Sequence, residues 1–336
     1  MINPSLLLAA DIGGTKTTLA LYHRAQWPGP PLAEQTMANH GTAGLEQLIA
    51  QFLDPLAERP AYGCFGVAGP VRNQEVEMTN LSWRISAAAL EQRFGFQQLH
   101  LLNDLMATAM GTSSLQADEL VTINPGSPVA GGTVAVLAPG TGLGEAFLTQ
   151  GAQPTPHPSE GGHASFAPRT REQIELLCFM LQSRDHVSVE QVCSGSGLPQ
   201  LFAFLRTTMG VPPALAEALA ASRDQTPLIV ASALKALQEG EQEHIAVRTL
   251  ELFTAILADE AANLALKTLS LGGLFLGGGL PPRILPFFES CRFMSIFARG
   301  VYRDWLRTIP IQLILNPKTA IAGAAAYGFS RIVPTP

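Results

Sequence analysis

Asp11 ends an apolar run, Leu6-Leu7-Leu8-Ala9-Ala10, and precedes Ile12-Gly13-Gly14-Thr15-Lys16 and a second apolar run from Thr17 to Tyr22. That order predicts strand, glycine turn, strand. Adjacent glycines let the backbone turn tightly and approach a ligand with no Cβ in the way. The N–H groups of Gly13 and Gly14, and the Thr15 hydroxyl, can then point at phosphate oxygens. Asp11 suits a hydrated Mg²⁺, which takes one or two carboxylates and otherwise keeps water and substrate phosphates. Turns favour glycine whatever their function, so this stretch alone also fits an ordinary hairpin. A second copy of the pattern shifts that balance. Residues 133–138 read as a buried strand, Pro139-Gly140-Thr141-Gly142-Leu143-Gly144-Glu145 as a glycine turn, and Ala146-Phe147-Leu148 as the next strand. Two such units suggest two loops closing on one polyphosphate. Neither is a P-loop, since no Gly-Lys-Ser/Thr opens a helix. Glu145 stands where a dinucleotide fingerprint needs its third glycine.

Other polar side chains sit at strand ends or between glycines. Leu101-Leu102-Asn103-Asp104 is a buried-strand pattern ending in a carboxamide and a carboxylate. Phosphoryl transfer to an alcohol needs in-line positioning, a metal, and a carboxylate that orients the hydroxyl and accepts its proton. Asp104 could equally cap a helix starting at Leu105. In Glu160-Gly161-Gly162-His163 two glycines let two polar side chains converge on a small ligand. A carboxylate accepts from vicinal hydroxyls and an imidazole donates or accepts. One Glu and one His are too few for a metal, and an exposed polar loop is the plainer reading. Glu190 follows Ser188, where a carboxylate in a first helical turn is favoured by the helix dipole. Gly277-Gly278-Gly279 ends an apolar strand and offers either a flat surface for an adenine ring or a simple strand-to-helix turn.

In this order the stretches resemble the bacterial glucokinases, within the actin-like superfamily of sugar kinases, Hsp70 chaperones and actin. The resemblance runs nearly end to end. It rests on Asp11-Ile-Gly-Gly-Thr-Lys16, Met78-Thr-Asn-Leu-Ser-Trp83, Leu102-Asn-Asp104, Gly140-Thr-Gly-Leu-Gly144, Glu160-Gly-Gly-His163, Ser188-Val-Glu190 and Leu276-Gly-Gly-Gly-Leu280. It implies an α/β, two-domain actin-like (ribonuclease H-like) ATPase fold with a cleft between the domains. The activity implied is transfer of the γ-phosphoryl group of ATP to the 6-hydroxyl of glucose. The implied general base is Asp104, and the implied sugar ligands are Asn103, Asp104, Glu160, His163 and Glu190. ATP would be held by Asp11, Gly13, Gly14, Thr15, Gly140, Thr141, Gly142, Gly144, Gly277, Gly278 and Gly279, with Asp11 carrying Mg²⁺ through water. A homodimer is implied too, as is closure of the domains on sugar to exclude water. Two residues depart from the pattern: Lys16 where close relatives often have asparagine, and Pro139 where a small residue is commoner.

Positioning these groups needs an alternating α/β chain. Strands are expected over 6–11, 18–22, 62–68, 98–102, 272–280 and 309–315. Apolar spacing predicts a helix over 43–58, and Ser86 and Gly95 bracket another. Thr170-x-x-Gln173 and Ser188-x-x-Gln191 read as capping boxes opening helices. Helices follow over 212–221, 228–237, 243–269, 281–288 and 319–330. Residues 125–128 and 153–159 read as exposed loops. The family resemblance places a small domain at 1–113 plus 317–336 and a larger one at 114–316.

The chain has 336 residues, 47% hydrophobic and 14% charged, with a net charge of −6. That supports a large core and excludes the basic stripe of a nucleic-acid binder. Cys64, Cys178, Cys193 and Cys291 lie far apart, against structural zinc and in favour of a reducing cytoplasm. The short apolar run before Asp11 is no signal peptide, and no stretch is suited to spanning a bilayer. The rival readings are a kinase for another hexose or N-acetylhexosamine, and a non-catalytic sugar sensor.

Overall fold

A computed structural model describes residues 2–78, 81–290 and 293–331. Thr79 and Asn80 of the 78–83 loop, Cys291 and the last five residues lie outside the described residues. The chain forms two compact units. One holds the chain up to Ala117, Ala146–Pro158 and the segment from Asn316 onward; the other holds Asp118–Glu145 and Ser159–Leu315.

The first unit is built on β1 (Ile2–Ile12), β2 (Lys16–His23), β3 (Ala33–Ala38), β4 (Arg59–Val67) and β7 (Gln98–Asn103). A ribbon of β5 (Glu75–Glu77) and β6 (Arg84–Ser86) stands apart from this sheet. The sheet order is β3-β2-β1-β4-β7. β1 runs antiparallel to β2 and parallel to β4, and β4 runs parallel to β7. Successive side chains of a strand point to opposite faces, so β1 serves two cores at once. Leu6, Leu8, Ala10 and Ile12 join the core that includes α1 (Leu45–Leu53) and α2 (Ala87–Phe94). Leu7 and Ala9 join the core beneath α3 (Asp104–Gly111) and the C-terminal helix, Thr319–Arg331. The second core is rich in alanine, and the two helices meet closely. A Cβ at Gly323 would lie 1.7 Å from the Ala107 carbonyl oxygen, and one at Gly111 2.1 Å from that of Thr319. The helix expected over 43–58 ends early, at Leu53: Asp54 still has helical backbone, but Pro55 has no N–H to continue the hydrogen-bond ladder.

The second sheet has β8 (Leu120–Asn124), β9 (Val134–Pro139), β10 (Leu143–Thr149), β11 (Thr155–Ser159), β12 (Gly273–Leu276) and β13 (Ile311–Ile314), in the order β11-β10-β9-β12-β13-β8. Around its core pack α4 (Arg171–Leu181), α5 (Leu198–Leu205), α6 (Pro213–Ala221), α7 (Thr226–Gln238) and α8 (Ile245–Thr268). The 24-residue α8 is apolar on most of its circumference, as a helix at the centre of a core must be. The Thr170 capping box forms as read from sequence. Two expectations fail. Residues 155–159 form an edge strand rather than a loop; prolines 156 and 158 are tolerated at a sheet edge. No helix opens at Ser188, although the reciprocal Ser188–Gln191 bonds form. There the backbone is bonded elsewhere: Glu190 N–H donates to Gly162, Gly195 N–H to Gly140 and Ser196 N–H to Thr141.

Candidate active site

In the first unit the parallel register aligns Asp11 with Gly66 and Gly66 with Leu102. Asp11 and the Asn103-Asp104 pair therefore share the carboxyl edge of one sheet, where open α/β sheets bind ligands. Burial lifts the Asp11 carboxyl above its ordinary range, and the Lys16 ammonium partly offsets this. The turn after it closes through Gly13 N–H donating to the Lys16 carbonyl at 3.0 Å. A residue the sequence did not flag braces this turn. Asn39, buried at the end of β3, donates from Nδ2 to the Gly13 carbonyl at 2.8 Å. Its backbone N–H donates to the Thr15 carbonyl, and its Oδ1 accepts from the buried Thr17 hydroxyl at 2.8 Å. The signal available in sequence was faint: an isolated Asn between Ala38 and His40.

The helix cap falls on Asn103, not Asp104. Asn103 Oδ1 accepts from the N–H groups of Leu105 and Met106, and Nδ2 donates to the Gly69 carbonyl at 3.2 Å. Asp104 is the first residue of α3 and accepts from Leu105 N–H at 3.0 Å. Gly66 makes room for this: a Cβ there would lie 3.0 Å from that of Ala107 and 3.7 Å from Asp104 Cα. Asp104 thus stands at the junction of two rigid elements, strand and helix.

In the second unit three of the expected sugar ligands converge. His163 Nε2 lies 3.9 Å from Glu160 Oε2, and His163 Nδ1 lies 4.0 Å from Glu190 Oε1. Glu160 and His163 are largely exposed, whereas Glu190 is partly buried. Glu190 Oε2 accepts from the Leu143 N–H at 2.8 Å, which ties this Glu–His–Glu cluster to the second glycine turn. Gly142 makes that approach possible, since a Cβ there would lie 2.4 Å from Glu190 Oε2. Gly162, whose carbonyl accepts from Glu190 N–H, lies against the Leu143 carbonyl.

The second glycine turn also borders a cavity of about 730 Å³ within this unit. Gly140 and Thr141 form one side, Gly195 and Ser196 another, Gly279, Leu280 and Arg283 a third, and Asp224, Thr226, Pro227 and Val230 line the mouth of α7. Among the three consecutive glycines, only Gly279 lines it. Gly277 N–H extends the ladder to the Leu137 carbonyl, and Gly278 turns with φ +82° against the Pro139 carbonyl. Sequence reading missed Gly195, Ser196, Asp224, Thr226 and Arg283. The alternation Ser194-Gly195-Ser196-Gly197 and the Pro227 one residue into a helix were the available signals. Among the described residues no group of three His, Cys, Asp or Glu side chains could hold a metal by itself. No helix among them is long and apolar enough to cross a membrane.

A strand edge bearing Asp11 and Asp104, a Glu–His–Glu cluster and a glycine-lined cavity are parts that a sugar kinase of the hexokinase type needs. Solved structures agree on the architecture. Glucokinase from an Antarctic psychrotroph superposes with a TM-score of 0.82 at 31% identity, covering 96% of this chain and 98% of that one. A glucokinase of Streptomyces griseus solved with glucose and AMPPNP superposes with a TM-score of 0.64 at 21% identity, covering 95% and 98%. Both share the two-domain actin-like sugar-kinase fold. The chain belongs to the glucokinase family, whose model, described as Glucokinase, matches residues 8–330. A glucokinase of Nostoc punctiforme is 34% identical over 337 residues, covering 96% of this chain and 98% of its own length.

Proposed function

We propose that the chain transfers the γ-phosphoryl group of ATP to the 6-hydroxyl of glucose, giving glucose 6-phosphate and ADP. The observation that carries this reading is the convergence of Glu160, His163 and Glu190 beside the second glycine turn. Two carboxylates and an imidazole on glycine hinges match a polyhydroxylated ring better than a metal or an apolar ligand. Asp104 orients the 6-hydroxyl and takes its proton as the phosphoryl group arrives; Asn103 holds the neighbouring part of the sugar. Gly13, Gly14 and Thr15 from one turn, and Gly140, Thr141, Gly142 and Gly144 from the other, face the phosphates. Adenosine occupies the cavity against Gly279, with Gly277 and Gly278 shaping that wall.

Mg²⁺ fits the residues present. Asp11 is a part-buried carboxylate with one nearby cation, Lys16, and no cluster of ligands around it among the described residues. A cation that keeps its waters and takes most ligands from phosphate needs no more than this. When bound, it neutralises charge on the phosphates. By family resemblance the protein works in the cytoplasm as a homodimer, which light scattering checks.

The test is a coupled ADP-release assay over a hexose panel, run on the wild type and on Asp104→Asn. Glucose should give the highest kcat/KM. The variant should fold and bind glucose yet lose about 10²–10⁴-fold in turnover, the usual size of a general-base contribution. A variant within a few-fold of wild type would remove Asp104 from the chemistry.

A further inference from the structure

β7 ends at Asn103 and leads directly into Asp104, yet it is the outermost strand of its sheet. An edge strand presents a row of unpaired N–H and C=O groups on its free side. Here side chains occupy that row. Glu91 on α2 accepts the Leu99 N–H at 2.7 Å. Gln74 brackets Leu101: its Oε1 accepts the Leu101 N–H at 2.7 Å, and its Nε2 donates to the Leu101 carbonyl at 3.4 Å. Two residues further along, Asn103 Nδ2 donates to the Gly69 carbonyl at 3.2 Å. Gly69 and Gln74 therefore clamp the end of β7 at two points just ahead of Asp104.

Gln74 holds this place against its own backbone preference. Arg72 and Glu75 exchange both backbone hydrogen bonds at 2.9 Å, which closes a two-residue hairpin turn over Asn73 and Gln74. Both central residues have positive φ, +51° and +60°. That is the pattern of a type I′ turn, where Asn suits the first position and Gly the second. Glutamine is a poor occupant of the second position, because its Cβ disfavours left-handed backbone. The turn gains nothing from this side chain; the two bonds to Leu101 are what it adds. The base of the clamp is firm. The Gln74 carbonyl accepts the Ala87 N–H at 3.0 Å, and Val76 and Ile85 join the same core as Leu99 and Leu101.

We propose that Gln74 is a positioning residue for Asp104, fixing the end of β7 so that the carboxylate meets the sugar hydroxyl. The proposal rests on the assignment of Asp104 as general base. Gln74 acts only through the strand, so its loss lowers turnover by misplacing Asp104 and leaves the acid itself intact.

The experiment measures kcat, glucose KM and Tm for the wild type, Gln74→Gly, Asn73→Gly, Asp104→Asn and the Gln74→Gly/Asp104→Asn double variant. Gln74→Gly loses both bonds to Leu101 but relaxes the turn, so Tm should stay within about 4 °C of wild type. Its kcat should fall about tenfold, toward the roughly 10²-fold that a misplacement of about 1 Å can cost, while glucose KM changes less. Asn73→Gly relaxes the same turn and leaves the Gln74 amide in place, so it should keep the wild-type kcat. In the Asp104→Asn background Gln74→Gly should cost almost nothing further, because residues that act as a unit are not additive. A merely structural loss would recur there in full, and that result would overturn the proposal. So would a wild-type kcat in Gln74→Gly, or an equal loss in Asn73→Gly. Amide hydrogen exchange on the unmodified protein adds a measurement that needs no variant to fold. The Leu101 N–H should be protected like an amide inside the sheet, and exchange at the rate of an open edge would mean the bracket does not form. Asp104→Asn with wild-type turnover would instead remove the base assignment, and this proposal with it, even where Leu101 stays protected.

Discussion

The two glycine turns have nearly the same sequence logic and are held in different ways. The first, Gly13 to Thr15, is braced from one side by a single buried side chain, Asn39, and a Cβ on Gly13 would meet only the Lys16 carbonyl at 3.4 Å. The second, Gly140 to Gly144, is hemmed in on several sides. Gly195 and Ser196 donate to it, Gly278 presses on Pro139, and the Glu190 carboxylate sits against Gly142. Each turn also has an acid beside it, part-buried in the first and buried in the second, placed oppositely. Asp11 precedes its turn and stands at the carboxyl edge of the first sheet; Glu145 follows its turn and lies against Gly161. On the proposed reading, glycine in the first turn serves the ligand, whereas in the second it serves the protein's own packing as well. Equivalent substitutions should therefore have unequal effects.

Gly142→Ala should be the most damaging of these. The new Cβ would occupy the place of Glu190 Oε2, 2.4 Å away. Glu190 must then swing out and abandon the Leu143 N–H, a charge-assisted bond worth about 1.5–3 kcal/mol. Glucose KM should rise ten- to a hundredfold, with nucleotide affinity falling as the turn deforms. Calorimetric titration with glucose and with ADP separates the two effects. Unchanged glucose affinity would mean Glu190 does not touch the sugar.

That unequal packing explains what the sequence could reveal. Both turns, the strand leading to Asn103 and Asp104, and the His163 loop were legible because each is a local pattern of glycines and polar residues at a strand end. Asn39 and Arg283 were not, since their roles depend on partners far away in sequence. Asn39 reaches back 26 positions to Gly13. The absent helix at Ser188 teaches the same point. Its local capping bonds formed, yet hydrogen bonds to Gly140, Thr141 and Gly162 drew the backbone away from helical pairing. Likewise the local reading put the cap on Asp104, while the structure gives it to Asn103 and leaves the acid one residue inside the helix.

Asn39→Ala comes next in size and tests the brace of the first turn. It strands the Thr17 hydroxyl, which is fully buried, and the Gly13 carbonyl. Leaving buried partners unsatisfied costs about 1–3 kcal/mol, which in a protein of this size lowers Tm by roughly 2–10 °C. Differential scanning fluorimetry reads that loss. A turn that loses its brace should also bind nucleotide more weakly while glucose affinity holds. Loss of glucose affinity instead would place Asn39 in support of the wrong subsite.

Gly13→Ala should be the mildest, and it sharpens the comparison because it is the same chemical change as Gly142→Ala. Its backbone is not in the left-handed region, so alanine brings no conformational strain there. The added methyl group would meet the Lys16 carbonyl at 3.4 Å, an ordinary van der Waals contact. The fold should be unaffected, with Tm within about 1–2 °C of wild type, as for surface substitutions generally. Any deficit must then come from the ligand side, where the methyl group stands between backbone and phosphate. The expected signature is a raised KM for ATP, by less than about tenfold, with glucose KM and Tm unchanged. If Gly13→Ala instead lowered Tm as much as Gly142→Ala, the first turn would be as tightly packed as the second. The contrast between a turn shaped for its ligand and one shaped by its neighbours would then fail.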